Sequence, residues 1–177
     1  MSRLELWGVE GIGEIADGDR LADVIADACR RPSNGPLHAG DVLVVTQKIV
    51  SKAEGRLVPI DADDPLGHKG LVEEEAVRVL RRRGDLVITE TRHGFVCANS
   101  GVDLSNVERG YAALLPIASD RSARRIRDGL RARLAIEVGV IVSDTFGRPW
   151  RKGLTDVAIG VAGIAAVVDL RGTDDAL

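Results

Sequence analysis

Two apolar, strand-like runs each lead into a loop that carries an acid, and this pairing constrains the chain more than any other feature. Residues 138–142 lead into Ser143-Asp144-Thr145, followed by glycine, proline and three cations. An earlier run leads into a loop that ends in Gly-x-Asp-x-Ser-Asn, residues 101–106. A strand end that serves packing alone has no need of this mixture. Two acid-bearing loops predict a divalent-cation site that faces an anionic substrate.

Composition narrows the class of protein. The 177 residues are 45% hydrophobic but only 3% aromatic, which predicts a folded core of Val, Leu, Ile and Ala. The net charge of −3 argues against a general nucleic-acid binder. Cys29 and Cys97 lie far apart without a C-x-x-C motif, which favours reduced thiols in a cytoplasmic protein. No apolar run has the length of a membrane span, and the first residues lack a signal-peptide core.

Hydrophobic periodicity predicts an α+β fold, a mixed sheet with flanking helices in one domain over residues 1–177. Predicted strands cover residues 4–9, 41–46, 86–89, 136–142, 156–163 and 164–170. Predicted helices cover residues 20–30, with Asp19 as the cap, 73–83 and 119–134. Residues 171–177 have the composition of the middle of a loop, so we expect the natural protein to be longer.

The acid-bearing loops each have a simpler interpretation. Asp103, Ser105 and Asn106 supply the oxygen ligands that Mg²⁺ and Mn²⁺ prefer, but the same residue types form ordinary Asx turns. Asp144 and Thr145 repeat the pattern after a fully apolar strand, and the repetition favours the metal interpretation.

The remaining polar motifs are weaker signals. Lys48 and Lys52 would share one face of a helix and could hold phosphates, although on their own they are better explained by a solvated charged face. The glycine loop at residues 8–13 fits a plain turn, since its spacing is not a dinucleotide fingerprint, and the chain has no P-loop. We expect His93 to lack a functional role and Cys97 to be a core residue. The arginines of the 119–134 helix are predicted to form a solvated face.

Together these motifs resemble the coenzyme F-420-0:L-glutamate ligase family, also called γ-glutamyl ligase. The matching segments are residues 11–15, 41–56, 90–106, 114–116, 143–153 and 155–160, in the order of the family. Gly13 stands where members often have proline and Leu154 where they often have glutamine, but neither change removes a ligating group. In the family a further C-terminal segment completes the sheet and adds GTP contacts, and some bacterial members carry a fused reductase domain.

The resemblance implies a fold of two small α/β subdomains. It also implies a cytoplasmic, homodimeric ligase that uses GTP. The enzyme would bind one or two Mg²⁺ or Mn²⁺ ions and could also bind a monovalent cation such as K⁺. Its substrates would be L-glutamate and the deazaflavin F-420-0, and neither nucleic acid nor membrane would be a partner. It further implies metal ligands, GTP contacts and residues that stabilise the transferring group. The implied metal ligands are Asp103, Asp144 and Thr145. The implied GTP contacts are Ile12, Gly13, Glu14, Ile15, Gln47, Lys52 and Asn106. The residues implied to stabilise the transferring group are Lys52, Arg148 and Arg151.

The implied chemistry is amide formation through an acyl phosphate on the F-420-0 carboxylate, followed by extension of the tail through γ-linkages. Two other functions use the same residues. A metal-dependent phosphohydrolase would release phosphate from GTP without needing glutamate, and a non-catalytic nucleotide-binding or dimerisation module would bind without turnover.

Overall fold

A computed structural model describes residues 3–148 and 151–173, apart from the side chains of residues 146–148 and 151–152. The elements follow the order α1 (Leu21–Cys29), β1 (Val42–Thr46), α2 (Gln47–Ala53), β2 (Leu57–Pro59), α3 (Lys69–Glu75), β3 (Ala76–Arg83), β4 (Leu86–Thr91), β5 (Val96–Ala98), a 3₁₀ turn (Asn99–Gly101), β6 (Tyr111–Ala113), α4 (Ser119–Leu134), β7 (Gly139–Arg148) and β8 (Arg151–Ala162). The predicted α+β class, with mixed sheets and flanking helices, is confirmed.

The central sheet has the order β1–β7–β8 and covers the main core. β1 runs parallel to β7, with Thr46 opposite Ser143, and β8 returns antiparallel. Leu43 and Val45 point into the core, whereas Val42 and Val44 on the opposite face are exposed. β1 ends at Thr46 opposite Ser143 while β7 continues to Arg148, so the residues that follow β1 lie beside the middle of β7, where Asp144 follows Ser143.

Helices α1 and α4 cover the inner face of this sheet. The prediction for α4 is confirmed at both ends, and its apolar stripe of Ala123, Ile126 and Leu130 is buried. The solvated arginine face is confirmed too, since the α4 arginines are exposed except for half-buried Arg127. At Gly129 a Cβ would lie 2.4 Å from the Ala22 Cβ, so the helices approach where neither carries a large side chain.

β8 approaches the start of α4 as closely as α1 approaches α4 at Gly129. An added Cβ at buried Gly160 would lie 2.4 Å from the Ser119 carbonyl carbon and 2.5 Å from its oxygen. Asp120 Oδ1 accepts a hydrogen bond from the Val161 amide at 2.8 Å, which fixes the strand to the helix. Position 160 therefore has no room for a side chain.

Two smaller antiparallel sheets form the second layer of structure, one of order β3–β4–β5 and one pairing β2 with β6. β5 contacts β7 of the central sheet. Asp103, in the loop after β5, forms an isolated bridge with Ala113 of β6 through two backbone hydrogen bonds of 2.9 and 2.8 Å. This bridge fixes the first acid-bearing loop against the β2–β6 sheet.

The predicted helix over residues 73–83 is wrong. α3 ends at Glu75 and residues 76–83 form β3, paired with β4 and exposed along nearly its whole length. Acids followed by arginines suggested a helix dipole, but Val77 and Val79 alternate with polar residues, as a strand requires. Cross-strand pairing also suits the arginines, since Arg78 Nη2 lies 2.8 Å from Glu90 Oε2.

Three further predictions about the elements need correction. Residues 4–9 are irregular, pair with no strand among the described residues and leave Leu4 84% exposed. The strand predicted at 156–163 lies within β8, which ends at Ala162 where Gly163 turns with φ +76°, whereas the strand predicted at 164–170 is wrong, since those residues form no strand. Asp19 does not cap α1; its Oδ2 accepts from the Ala16 amide instead.

No helix within the described ranges is both long and apolar enough to cross a membrane.

Candidate functional site

An open polar cleft of about 670 Å³ lies where the central sheet meets the loop after β5. The loop after β5, the middle of β7, the first turn of α2 and the start of β8 contribute to it. The loop predicted to begin at Ser143 is wrong, because β7 continues through Asp144 to Arg148 and pairs with β8. The lining polar residues are Thr46, Gln47, Lys48, Asp103, Ser105, Asn106, Ser143, Asp144, Thr145 and Asp156. Asp103 and Asp144, which are remote in sequence, therefore come together.

Asp103 is held by an Asx turn and by a cation. Its Oδ1 accepts from the Ser105 amide at 2.8 Å, and its Oδ2 lies 2.7 Å from Lys48 Nζ. Burial raises the pKa of Asp103, but the hydrogen bonds from Lys48 and Ser105 outweigh it, and the pKa lies below its ordinary value. The loop closes through Asn106 in the left-handed region at φ +53°, a conformation that asparagine tolerates.

Lys48 belongs to the first turn of α2, whose start is capped by the Thr46 hydroxyl. Besides Asp103, its ammonium donates to the Ser105 carbonyl at 2.6 Å and to the Ser105 hydroxyl at 2.7 Å. These three acceptors match the three ammonium hydrogens. The side chain is only 15% exposed, so Lys48 is an internal counterion of the cleft rather than part of a solvated face.

Asp144 lies within β7, one residue after Ser143, which is opposite the last residue of β1, Thr46. Burial raises its pKa above the ordinary value, and the negative charges of Asp103 and Asp156 raise it further. The backbone hydrogen bond from Thr145 and the charge of Lys48 oppose this but do not cancel it. Asp144 thus lies in a net anionic, partly desolvated position, where a cation would be favoured.

Thr145 and Asp156 face each other across the β7–β8 pair. The Thr145 hydroxyl donates to Asp156 Oδ1 at 2.7 Å. The sequence did not indicate a role for Asp156, because position 156 was predicted only as part of a strand and its cross-strand partner, Thr145, could not be predicted. The hairpin formed by β7 and β8 is the signal that pairs position 145 with position 156.

The donor set fits Mg²⁺ or Mn²⁺ bound together with a polyphosphate. Within the described part of the chain, no three His, Cys, Asp or Glu side chains are arranged to hold a metal ion by themselves. Mg²⁺ is commonly held by one or two carboxylates, with phosphate and water completing its shell. Asp103, Asp144 and the Thr145 hydroxyl would supply that partial set.

Other predicted residues lie elsewhere or have partners already. Residues 12–15 do not line the polar cleft, although Ile12 lines an adjacent apolar groove. Lys52 is buried outside the cleft lining and forms an ion pair with Glu14, so the glycine loop is joined to α2. Gln47 does line the cleft, but its buried amide donates to Ser51 Oγ and the Leu114 carbonyl. The side chains of Arg148 and Arg151 lie outside the described residues.

The residues given no functional role have structural partners. His93 Nε2 lies 2.8 Å from the Pro116 carbonyl oxygen, and its ring stacks on Phe95. Cys29 and Cys97 are both buried and are not joined in a disulfide, and burial raises the pKa of Cys29. The prediction that the cysteines form no disulfide is confirmed.

Comparison with known proteins identifies the family of the chain. A sequence profile for the family described as F420-0:Gamma-glutamyl ligase matches residues 11–177. The chain belongs to the F420-0:gamma-glutamyl ligase family. The resemblance inferred from the motifs is therefore confirmed, and the matched range contains both acid-bearing loops.

Individual members of the γ-glutamyl ligase family are similar over most of the chain. The coenzyme F420:L-glutamate ligase of Methanopyrus kandleri is 42% identical over 92% of this chain and 68% of its own length. The ligase of the same name from Methanothermobacter thermautotrophicus is 39% identical over 97% of the chain and 73% of its own length. That from Methanocaldococcus jannaschii is 40% identical, and the match spans 61% of its length.

Proposed function

We propose that this chain belongs to a GTP- and divalent-metal-dependent ligase that joins L-glutamate to F-420-0 and then extends the tail through γ-linkages. One observation supports the proposal above all: Asp103 and Asp144, from different sheets, line one cleft with Lys48. Membership of the γ-glutamyl ligase family and the names of the relatives support the substrates. A homodimer, a cytoplasmic location and a K⁺ requirement remain predictions from the resemblance.

Amide formation needs an activated acid, because a carboxylate oxygen is a poor leaving group. In the proposed reaction, a carboxylate oxygen of F-420-0 attacks the γ-phosphorus of GTP, and the bond to the β-phosphate oxygen breaks to release GDP. The glutamate amine then attacks the acyl carbon, loses a proton to solvent or a base, and expels inorganic phosphate. Each step brings negative groups together, so the site must present positive charge.

The residues of the cleft suit this requirement. Asp103, Asp144 and the Thr145 hydroxyl would hold Mg²⁺ or Mn²⁺, which when bound would neutralise the polyphosphate and the transferring phosphoryl group. Lys48 already lies beside Asp103 and would become available to a phosphate when its carboxylate partner engages a cation. The basic hairpin tip, which includes Arg148 and Arg151, is proposed to stabilise the transferring group.

Incubation of the protein with F-420-0, GTP, Mn²⁺ and L-glutamate tests the proposal. We expect mass spectrometry to show F-420-0 gaining mass in steps of one glutamyl residue, with one GDP formed per step. Phosphate release that is independent of glutamate would indicate a phosphohydrolase instead. Metal-dependent GTP binding without any product would indicate a binding module, and either result would contradict the ligase assignment.

Lys48→Met should have opposite effects on the two ligands of the cleft. Removing the ammonium frees Asp103 for Mn²⁺, and unit charges 4 Å apart repel by about 1 kcal/mol even in water. We expect Mn²⁺ alone to bind roughly fivefold more tightly and GTP to bind more weakly, both measured by titration calorimetry. Lys52→Met is the matched control for Mn²⁺, because Lys52 contacts Glu14 rather than Asp103. Weaker Mn²⁺ binding by Lys48→Met would contradict the competition.

A further inference from the structure

We propose that Asp156 is a positioning residue for the metal site: by accepting the hydroxyl proton of Thr145, it turns the lone pairs of that oxygen toward the cation. This inference rests on the proposed function, because it takes Thr145 as a metal ligand. Neither the motifs nor the family comparison assigned a role to Asp156.

The geometry of the pair is the first support. Thr145 and Asp156 are direct partners in the β7–β8 register, and the Thr145 hydroxyl donates to Asp156 Oδ1 at 2.7 Å. A hydroxyl has one hydrogen and two lone pairs. When the hydrogen is committed to a carboxylate, both lone pairs face elsewhere and the oxygen becomes a better donor to a cation. Both residues line the cleft, so the cation side is the open side.

The exposure of Asp156 is the second support. The side chain is exposed, so its hydrogen bond to Thr145 adds little to folding stability. A carboxylate that lines the cleft and stabilises the fold little is typical of a functional position rather than a structural one.

Partners of this kind influence metal affinity measurably. Groups that orient a metal ligand typically change metal affinity by 10- to 100-fold when removed. A hydroxyl without its acceptor can rotate its hydrogen toward the cation or toward Asp144, and such orientations do not bind metal. Because threonine is β-branched, its χ1 is restricted, and the proton direction is the main freedom left for Asp156 to fix.

The test is the affinity of the chain for Mn²⁺ alone, measured from the electron paramagnetic resonance signal of free Mn²⁺. We expect Asp156→Ala to weaken binding roughly tenfold. Asp156→Asn keeps an acceptor oxygen and should lose less. Asp63→Ala, which removes an exposed acid bonded to Arg109 outside the cleft, is the matched control and should change nothing. Circular dichroism confirms that each variant is folded.

A double-mutant cycle separates positioning from direct ligation. In a Thr145→Val background, Asp156→Ala should cause no further loss, because its effect acts through the missing hydroxyl. An equal loss with and without the hydroxyl, or equal losses for Asn and Ala, would overturn the positioning role. Asp144→Asn distinguishes failure of the positioning role of Asp156 from failure of the proposed metal site. If it weakens Mn²⁺ binding and Asp156→Ala does not, this inference alone fails; if neither matters, or the chain binds no Mn²⁺, the proposed metal site fails as well.

Discussion

Asp144→Asn is expected to reduce ligation by roughly 10³-fold, the upper range for losing one electrostatic contact to a transition state, while making the fold more stable at neutral pH. The loss follows from removing a proposed metal ligand. The gain follows because the pKa of Asp144 is raised in the folded protein, so its ionised form opposes folding. Glutamyl transfer is measured by mass spectrometry and stability by thermal unfolding.

The pH dependence identifies the cause of the stability change. A carboxyl whose folded pKa is raised costs stability above that pKa, and the cost disappears below the unfolded pKa of about 4. The difference in stability between Asp144→Asn and the original chain should therefore be full at pH 7 and shrink to nothing below about pH 4. Asp63→Asn, an exposed acid bonded to Arg109, is the control for both measurements. Near-normal glutamylation by Asp144→Asn would refute the ligand assignment.

Gly160→Ala, which adds a single methyl group, is expected to lower the free energy of unfolding strongly. The added Cβ would lie 2.4 Å from the Ser119 carbonyl carbon, and this contact is backbone at the start of α4 rather than a movable side chain. Overpacking of this kind costs about 3 kcal/mol or more. For a chain of this size, that lowers the midpoint of thermal unfolding by roughly 6–12 °C.

Gly70→Ala is the matched control, since it adds the same methyl group within α3 where no heavy atom lies within 4 Å. Replacing an exposed helical glycine by alanine should stabilise the chain by about 0.5–1 kcal/mol. The two variants should therefore move the unfolding midpoint in opposite directions. A neutral Gly160→Ala would mean that β8 and α4 do not approach as described.

The elements that the sequence predicted well are those with a clear period and clear ends. α4 has an apolar stripe and β1 an uninterrupted apolar run, and both appear where expected. Residues 73–83 failed because charge order suggested a helix, whereas tertiary pairing with β4 decided the outcome. The strand predicted over residues 4–9 is wrong, because a strand-like composition forms a strand only where the segment pairs with another strand, and these residues do not.

The site was predictable as far as residue type allowed. The sequence predicts Asp103 and Asp144 as a pair because each follows an apolar run, and the structure brings them into one cleft, although Asp144 lies within β7. Two features of the site could not be predicted from the sequence. The contacts of Lys48 depend on the start of α2, and the role of Asp156 depends on the β7–β8 register. Neither is encoded in a local motif, because both depend on which segments become neighbours.

The attachment of the two aspartates to different sheets has a mechanical consequence. Asp103 is anchored to β6 through its backbone bridge, whereas Asp144 belongs to β7 of the central sheet. Their mutual repulsion therefore pushes apart two pieces of the molecule, and a shared cation would reverse the direction of that force. A cation bound at the proposed site would therefore hold the central sheet and the β2–β6 sheet together, so that metal binding and stabilisation of the fold would be coupled.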